Sequence, residues 1–123
     1  MSEQSEELKR RTMKFALDVC ALVRELPADE PGPTVRRQLT KAGTSTAANY
    51  RAACRGRSHA EFTAKIGLVN EEVDESFFWL DFIAEAGLLR SPRLKELQQE
   101  ASALSAIFSK TLGTARLNQR NSY

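Results

Sequence analysis

The stretch Ala42-Gly43-Thr44-Ser45-Thr46-Ala47-Ala48-Asn49-Tyr50-Arg51 has an odd composition for the middle of a helix. A glycine, a run of hydroxyl residues and an asparagine are middling or poor helix formers, since they free the backbone or compete for its hydrogen bonds. The apolar spacing on both sides nevertheless carries one helix straight through. Val35, Leu39, Ala42, Thr46, Asn49 and Ala53 step by four, three, four, three, four, the two-turn repeat of a bundle seam. Residues this small let a neighbouring helix come close, and Asn49 in the seam calls for a partner that satisfies its amide. At about 100° per residue, Arg37, Lys41, Arg51 and Arg55 gather on the face opposite the seam. One side reads as packed, the other as a line of cations.

Before this helix, Leu8, Thr12, Phe15, Val19, Leu22 and Leu26 keep the same rhythm and predict a first helix over residues 5–26. Ser5 is its expected cap, with Glu6 and Glu7 set against the helix dipole. Pro27 and the segment Asp29-Glu30-Pro31-Gly32-Pro33 stop it, and the second helix is expected over 34–56. Ser58 and Glu61 have capping-box spacing before a third helix over 59–87. Its seam is Phe62, Ile66, Val69, Val73, Ser76, Leu80 and Ile83, and Gly87 is its expected left-handed stop. Ser91-Pro92 starts a fourth helix over 92–113 with Leu94, Leu97, Ala101, Leu104 and Phe108 inward. Past Gly113 the pattern fades, and a frayed tail is expected. No strand-type alternation occurs. Residues 1–123 therefore read as a single all-α domain, an antiparallel up-down-up-down four-helix bundle.

Hydrophobic residues make up 41% and charged residues 28%, ordinary for a soluble helical domain. The net charge of +2 implies no partner, but its distribution is uneven. Val35 to Lys65 holds seven bases and one acid, Glu61, whereas Ile66 to Gly87 holds six acids and no base. The opening Met-Ser-Glu-Gln-Ser-Glu-Glu has no apolar run behind a basic start, and no stretch is long enough to span a bilayer. Cys20 and Cys54 lack metal-type spacing and read as small apolar residues. A cytoplasmic, reduced protein is expected.

The third helix carries more than one seam requires. Phe77, Phe78, Trp79 and Phe82 point in several directions, so some stay exposed, and clustered exposed aromatics mark an interface. The competing expectation is that these rings fill the gap left by the small residues of the second helix.

Catalytic constellations are missing. A dimetal bundle site needs Glu-x-x-His pairs, but Glu72-x-x-Glu75 stands beside a lone histidine, His59. Neither cysteine nor any serine has a paired base, and there is no glycine-rich phosphate loop. Small helical ribonucleases of the HEPN type place four to six residues between an Arg and a His, whereas Arg55-Gly-Arg-Ser-His59 has three. No catalytic residue, metal or cofactor is expected, and the protein reads as a non-enzyme.

The segment Gln38 to Arg51, with Arg55-x-Arg57-Ser58, Glu61-Phe62, Lys65-Ile66, Asp74-Glu75 and Trp79-Leu80, resembles a family of bacterial four-helix-bundle proteins. These are encoded within intervening sequences of large-subunit ribosomal RNA genes and at other loci. The resemblance runs from Leu8 to Phe108. An accessory protein of diversity-generating retroelements, which works with a reverse transcriptase, looks like a relative. The resemblance implies a ring, commonly a homopentamer, with a positively charged surface directed at nucleic acid. The chain departs from the family at Ala52, where Glu is frequent, at Thr46, where an aliphatic residue is usual, and at Asn70-Glu71-Glu72-Val73.

Two functions follow as expectations. One is an oligomeric bundle that binds RNA or DNA through Arg37, Lys41, Arg51 and Arg55, with Phe77, Phe78, Trp79 and Phe82 in the oligomer interface. The alternative is an accessory module that recruits a protein partner, such as a reverse transcriptase, without touching nucleic acid.

Overall fold

The structure, a computed structural model, describes residues 2–121. Four helices follow one another, α1 (Glu3–Val23), α2 (Gly32–Cys54), α3 (His59–Glu85) and α4 (Pro92–Asn121), and no strand occurs among the described residues. Each helix packs on the next and α1 closes against α4, whereas the backbones of α1 and α3, like those of α2 and α4, stay apart. These pairs occupy opposite corners, and side chains such as Tyr50 and Phe108 meet across the core between them. Cross-helix partners give the directions. His59 meets Ala115, Asn70 meets Ser109 and Asp81 meets Gln98, so α3 and α4 run in opposite senses. Arg93 with Glu25 and Arg11 with Glu100 show the same for α1 and α4.

The helix ends follow from local chemistry. Ser58 Oγ accepts from the Glu61 amide at 3.1 Å and starts α3, as the sequence predicts. Gly87, at φ 64°, ends it with the Leu88 amide on the Ile83 carbonyl and its own amide on the Ala84 carbonyl. The Arg93 amide donates to Ser91 Oγ at 3.2 Å at the head of α4. At α2, Pro31 supplies no side-chain cap. The Glu30 carboxylate takes over, accepting from the Thr34 amide and hydroxyl at 3.2 and 2.7 Å, and those bonds hold its pKa below the ordinary value.

Three expectations are corrected. The cap of α1 is Ser2, whose hydroxyl accepts from the Ser5 amide, because Ser5 itself already lies within the helix. Asn49 is not the seam residue: its amide donates to the Ser45 carbonyl of its own helix at 3.0 Å, and Tyr50 is buried beside it. No partner helix is needed to satisfy it. The tail after Gly113 is not frayed but helical to Asn121, because Leu112 and Ala115 extend the buried stripe of Phe108 and the Ala115 carbonyl meets His59 at 2.9 Å. The first three helices also end two or three residues short of the expected bounds, although Leu26 still closes on the core.

The core is built from Phe15, Val19 and Leu22, from Val35 and Leu39, from Ile66, Val69, Val73, Leu80 and Ile83, and from Leu104 and Phe108. The Tyr50 and Phe108 rings pack at 5.3 Å, tilted 54° to each other. The odd stretch of α2 fits for two reasons. Thr46, fully buried, returns its hydroxyl to the Ala42 carbonyl at 2.9 Å, so no polar atom is left bare. Gly43 faces α1 so closely that a Cβ there would stand 3.0 and 3.1 Å from the two γ carbons of Val19. A β-branched, wholly buried Val19 has no room to turn away.

Gly43→Leu is therefore expected to destabilise the fold by about 2 kcal/mol or more through overpacking. A Cβ at Gly113, also within a helix, meets nothing within 4 Å, so Gly113→Ala is expected to stabilise by about 0.5–1 kcal/mol. Urea unfolding followed by circular dichroism measures both. Equal effects would remove the close α1–α2 approach as the reason for glycine at position 43.

Candidate nucleic-acid interface

Because the seam fixes which side of α2 turns inward, it also fixes what turns out. Arg37, Lys41, Thr44, Ala48, Arg51 and Arg55 are all exposed and step by four, three, four, three, four. The four cations thus form two pairs, with Lys41 and Arg51 about 15 Å apart along the axis and only Thr44 and Ala48 between them. Arg37 reaches the Thr34 hydroxyl at 3.3 Å. The ion pairs among the described residues are Lys9–Glu6, Arg11–Glu100, Lys14–Asp18 and Arg93–Glu25, and none uses a cation of this face.

The basic face borders acids at one place. Glu72 of α3 looks across to Ser45 and Lys41, and its pKa is raised, chiefly by burial, with Ser45 and Lys41 acting against the rise and Glu75 and Glu71 adding to it.

Sequence reasoning missed a second group of cations. From Ala101 onward the chain holds no acid, and the helical course of α4 carries Lys110, Arg116 and Arg120. The His59–Ala115 contact brings this segment to the end of the bundle where α2 finishes with Arg51, Arg55 and Arg57. An open groove of about 450 Å³ lies there, lined by Gln4, His59, Phe62, Lys110 and Asn118 among others. The signal was present: Leu112 and Ala115 continue the four-three spacing from Phe108.

The aromatics divide. Phe78 is 55% exposed, while Phe77, Trp79 and Phe82 are half-buried and pack on the core. Phe78 stands edge-on to Trp79 at 4.9 Å, and Trp79 stands 5.5 Å from Phe82. Three rings therefore pack on the bundle's own core and one points outward. Cys20 and Cys54 are half-buried free thiols. Burial raises the Tyr50 pKa, with Cys54 beside its hydroxyl contributing. Among the described residues no three His, Cys, Asp or Glu side chains assemble into a metal site, and no helix is long and apolar enough to cross a membrane.

With this geometry in place the class can be stated: the chain is an all-α four-helix protein. It shares its fold with a crystal structure of a protein of unknown function from the S23 ribosomal protein family of Bacteroides thetaiotaomicron, with a TM-score of 0.77 at 20% identity, covering 85% of this chain and 96% of that one. The family model of the 23S rRNA-intervening sequence protein matches residues 4–110, and the chain belongs to that family. The comparison with curated proteins gives no match.

Glu72 allows a check on how the two helices meet. The folded chain holds a proton there more tightly than the unfolded chain, so the charged carboxylate lowers stability above the ordinary carboxylate range. That cost fades as the pH falls through the range. Glu72→Gln is expected to raise the thermal midpoint slightly at neutral pH, with the difference vanishing in acid. A lower midpoint for the variant at pH 7 would mean that Ser45 and Lys41 outweigh burial.

Proposed function

We propose that this protein is a non-enzymatic, self-associating bundle that works in the cytoplasm and binds RNA or DNA through the outward face of α2. Arg37, Lys41, Arg51 and Arg55 make the phosphate contacts, and Arg57, Lys110, Arg116 and Arg120 extend the basic surface around the end of the bundle. The observation that carries this reading is that the four cations of α2 are exposed on one face and none is held in an ion pair among the described residues. A merely solvated face would mix acids among its bases. The family name, which refers to intervening sequences of 23S rRNA, makes RNA the first ligand to try. Self-association, as the homopentameric ring that the resemblance implies, rests on the exposed Phe78 and repeats the basic face on every protomer, so modest contacts add through avidity. The same aromatic cluster favours a second reading, an accessory module that holds a partner enzyme such as a reverse transcriptase.

Binding of a labelled RNA, followed by fluorescence anisotropy from low to moderate salt, tests the first reading. The slope of log affinity against log salt is expected between about −3 and −4, as for about four phosphates. Arg51→Glu with Arg55→Glu is expected to weaken binding about tenfold or more while leaving the mass in solution unchanged. Affinity indifferent to salt, or to these reversals, overturns the assignment of the α2 face and leaves the accessory reading.

A further inference from the structure

Two apolar patches lie on opposite corners of the bundle, and neither is covered by the chain itself. On α1, Met13 and Leu17 are 46% and 62% exposed and line an open groove of about 440 Å³. On α3, Phe78 is 55% exposed, with the edge of Phe82 one turn further on. Each patch has charges at its ends, and the signs are opposite. Along α1 the outward stripe reads Arg10, Met13, Leu17, Cys20, Arg24; along α3, read backwards, it is Glu85, Phe82, Phe78, Glu75, Glu71. Both step by three, four, three, four.

We propose that α1 of one protomer docks antiparallel on α3 of a second copy, with Met13 and Leu17 against Phe82 and Phe78, Arg10 facing Glu85, and Arg24 facing Glu71. The proposal rests on the self-association stated above and names the surface that receives the aromatic cluster.

Three alternatives fit less well. A parallel register pairs Arg10 with Glu75 but sets Glu6 against Glu71. One opposite-charge contact is then offset by a like-charge one, whereas the antiparallel register gains two. An α3-on-α3 contact brings Glu71, Glu75 and Glu85 of one copy against the same carboxylates of the other, which repel. The outward face of α2 offers cations but only Thr44 and Ala48 between them, too little apolar surface to cover Phe78. The α1 stripe alone supplies both an apolar centre and basic ends, and a methionine beside an aromatic ring is a favourable contact. Because α1 and α3 occupy opposite corners, the contact is heterologous, and every protomer presents one surface of each kind.

A heterologous contact has a signature that no symmetric one shares. Leu17→Asp and Phe78→Asp change exposed side chains, so circular dichroism is expected to show the helical fold unchanged. Under light scattering behind a sizing column, the wild type is expected to show a multi-protomer mass and each variant alone the 13.7 kDa of one protomer. An equal mixture of the two is expected to run at twice that mass, because the α3 of one variant and the α1 of the other are intact and form one contact that cannot propagate. If Leu17→Asp keeps the wild-type mass, or the mixture stays at one protomer, the proposal is overturned while self-association stands. A wild type that is itself a single protomer at every concentration overturns both.

Discussion

The approach of α2 to α1 at Gly43 is the constraint on which the rest of the packing depends. With no side chain at that position, Val19 sits directly on the α2 backbone, and the two helices come nearer than a bundle lined with leucine would allow. Ala42, Thr46 and Ala53 continue the narrow seam. Volume lost on that side must be made up elsewhere, because interiors pack to near-crystalline density. Phe15 and Phe108, both wholly buried, supply it, and Tyr50 packs on Phe108 where α2 approaches its end. Polar atoms in the seam follow the same economy of space. The hydroxyls of Thr12, Thr46 and Ser76 each return to the carbonyl one turn back, so buried polar residues need no cross-helix partner.

Close packing on one side leaves charge to be arranged on the other, and the arrangement is segregated. α2 turns only bases outward from Arg37 to Arg55, while α3 turns Glu71, Asp74, Glu75 and Glu85 outward with no base among them. α1 and the first half of α4 mix acids with bases and are linked by Arg11–Glu100 and Arg93–Glu25, whereas α4 beyond Glu100 carries bases alone. Arg93–Glu25 is exposed and Arg11–Glu100 partly buried; exposed pairs contribute about 1 kcal/mol or less each, so stability offers little reason to sort charges by helix. Sorting does create opposed fields on neighbouring faces, which matters for what each face can meet.

The order and type of the helices were legible because the four-three spacing survives wherever a helix buries one face, and because Ser58, Gly87 and Ser91-Pro92 act through local hydrogen bonds. The errors come from residues whose role depends on contacts distant in sequence. Asn49 falls on the seam by spacing, yet Tyr50, one position on, has the longer apolar body and takes the buried place. Leu112 and Ala115 do continue the spacing past Phe108, but Ala115 is small and its carbonyl contact with His59 joins residues far apart in the chain, so the end of α4 read as frayed. The cations of α2 were legible as the complement of the seam. Arg116 and Arg120 were not, since their place at the His59 end of the bundle depends on α4 continuing past Gly113.

The aromatic run of α3 is where these threads meet. A bundle helix has one buried stripe, and α3 already fills it with Val69, Val73, Ser76, Leu80 and Ile83. Phe77, Trp79 and Phe82 lean on its flanks, but Phe78 points away from the stripe, and no rotamer brings it back. Leaving so much ring in water forgoes free energy that burial elsewhere would recover, roughly 25 cal/mol for each Å² covered. The acids around Phe78 make sense in that setting. They repel an identical α3 face, while favouring an apolar surface with cationic ends. In the contact proposed between α1 and α3, affinity comes from the rings and selectivity from the carboxylates. That division leaves the cations of α2 uncommitted to holding the protein together and open to an anionic ligand.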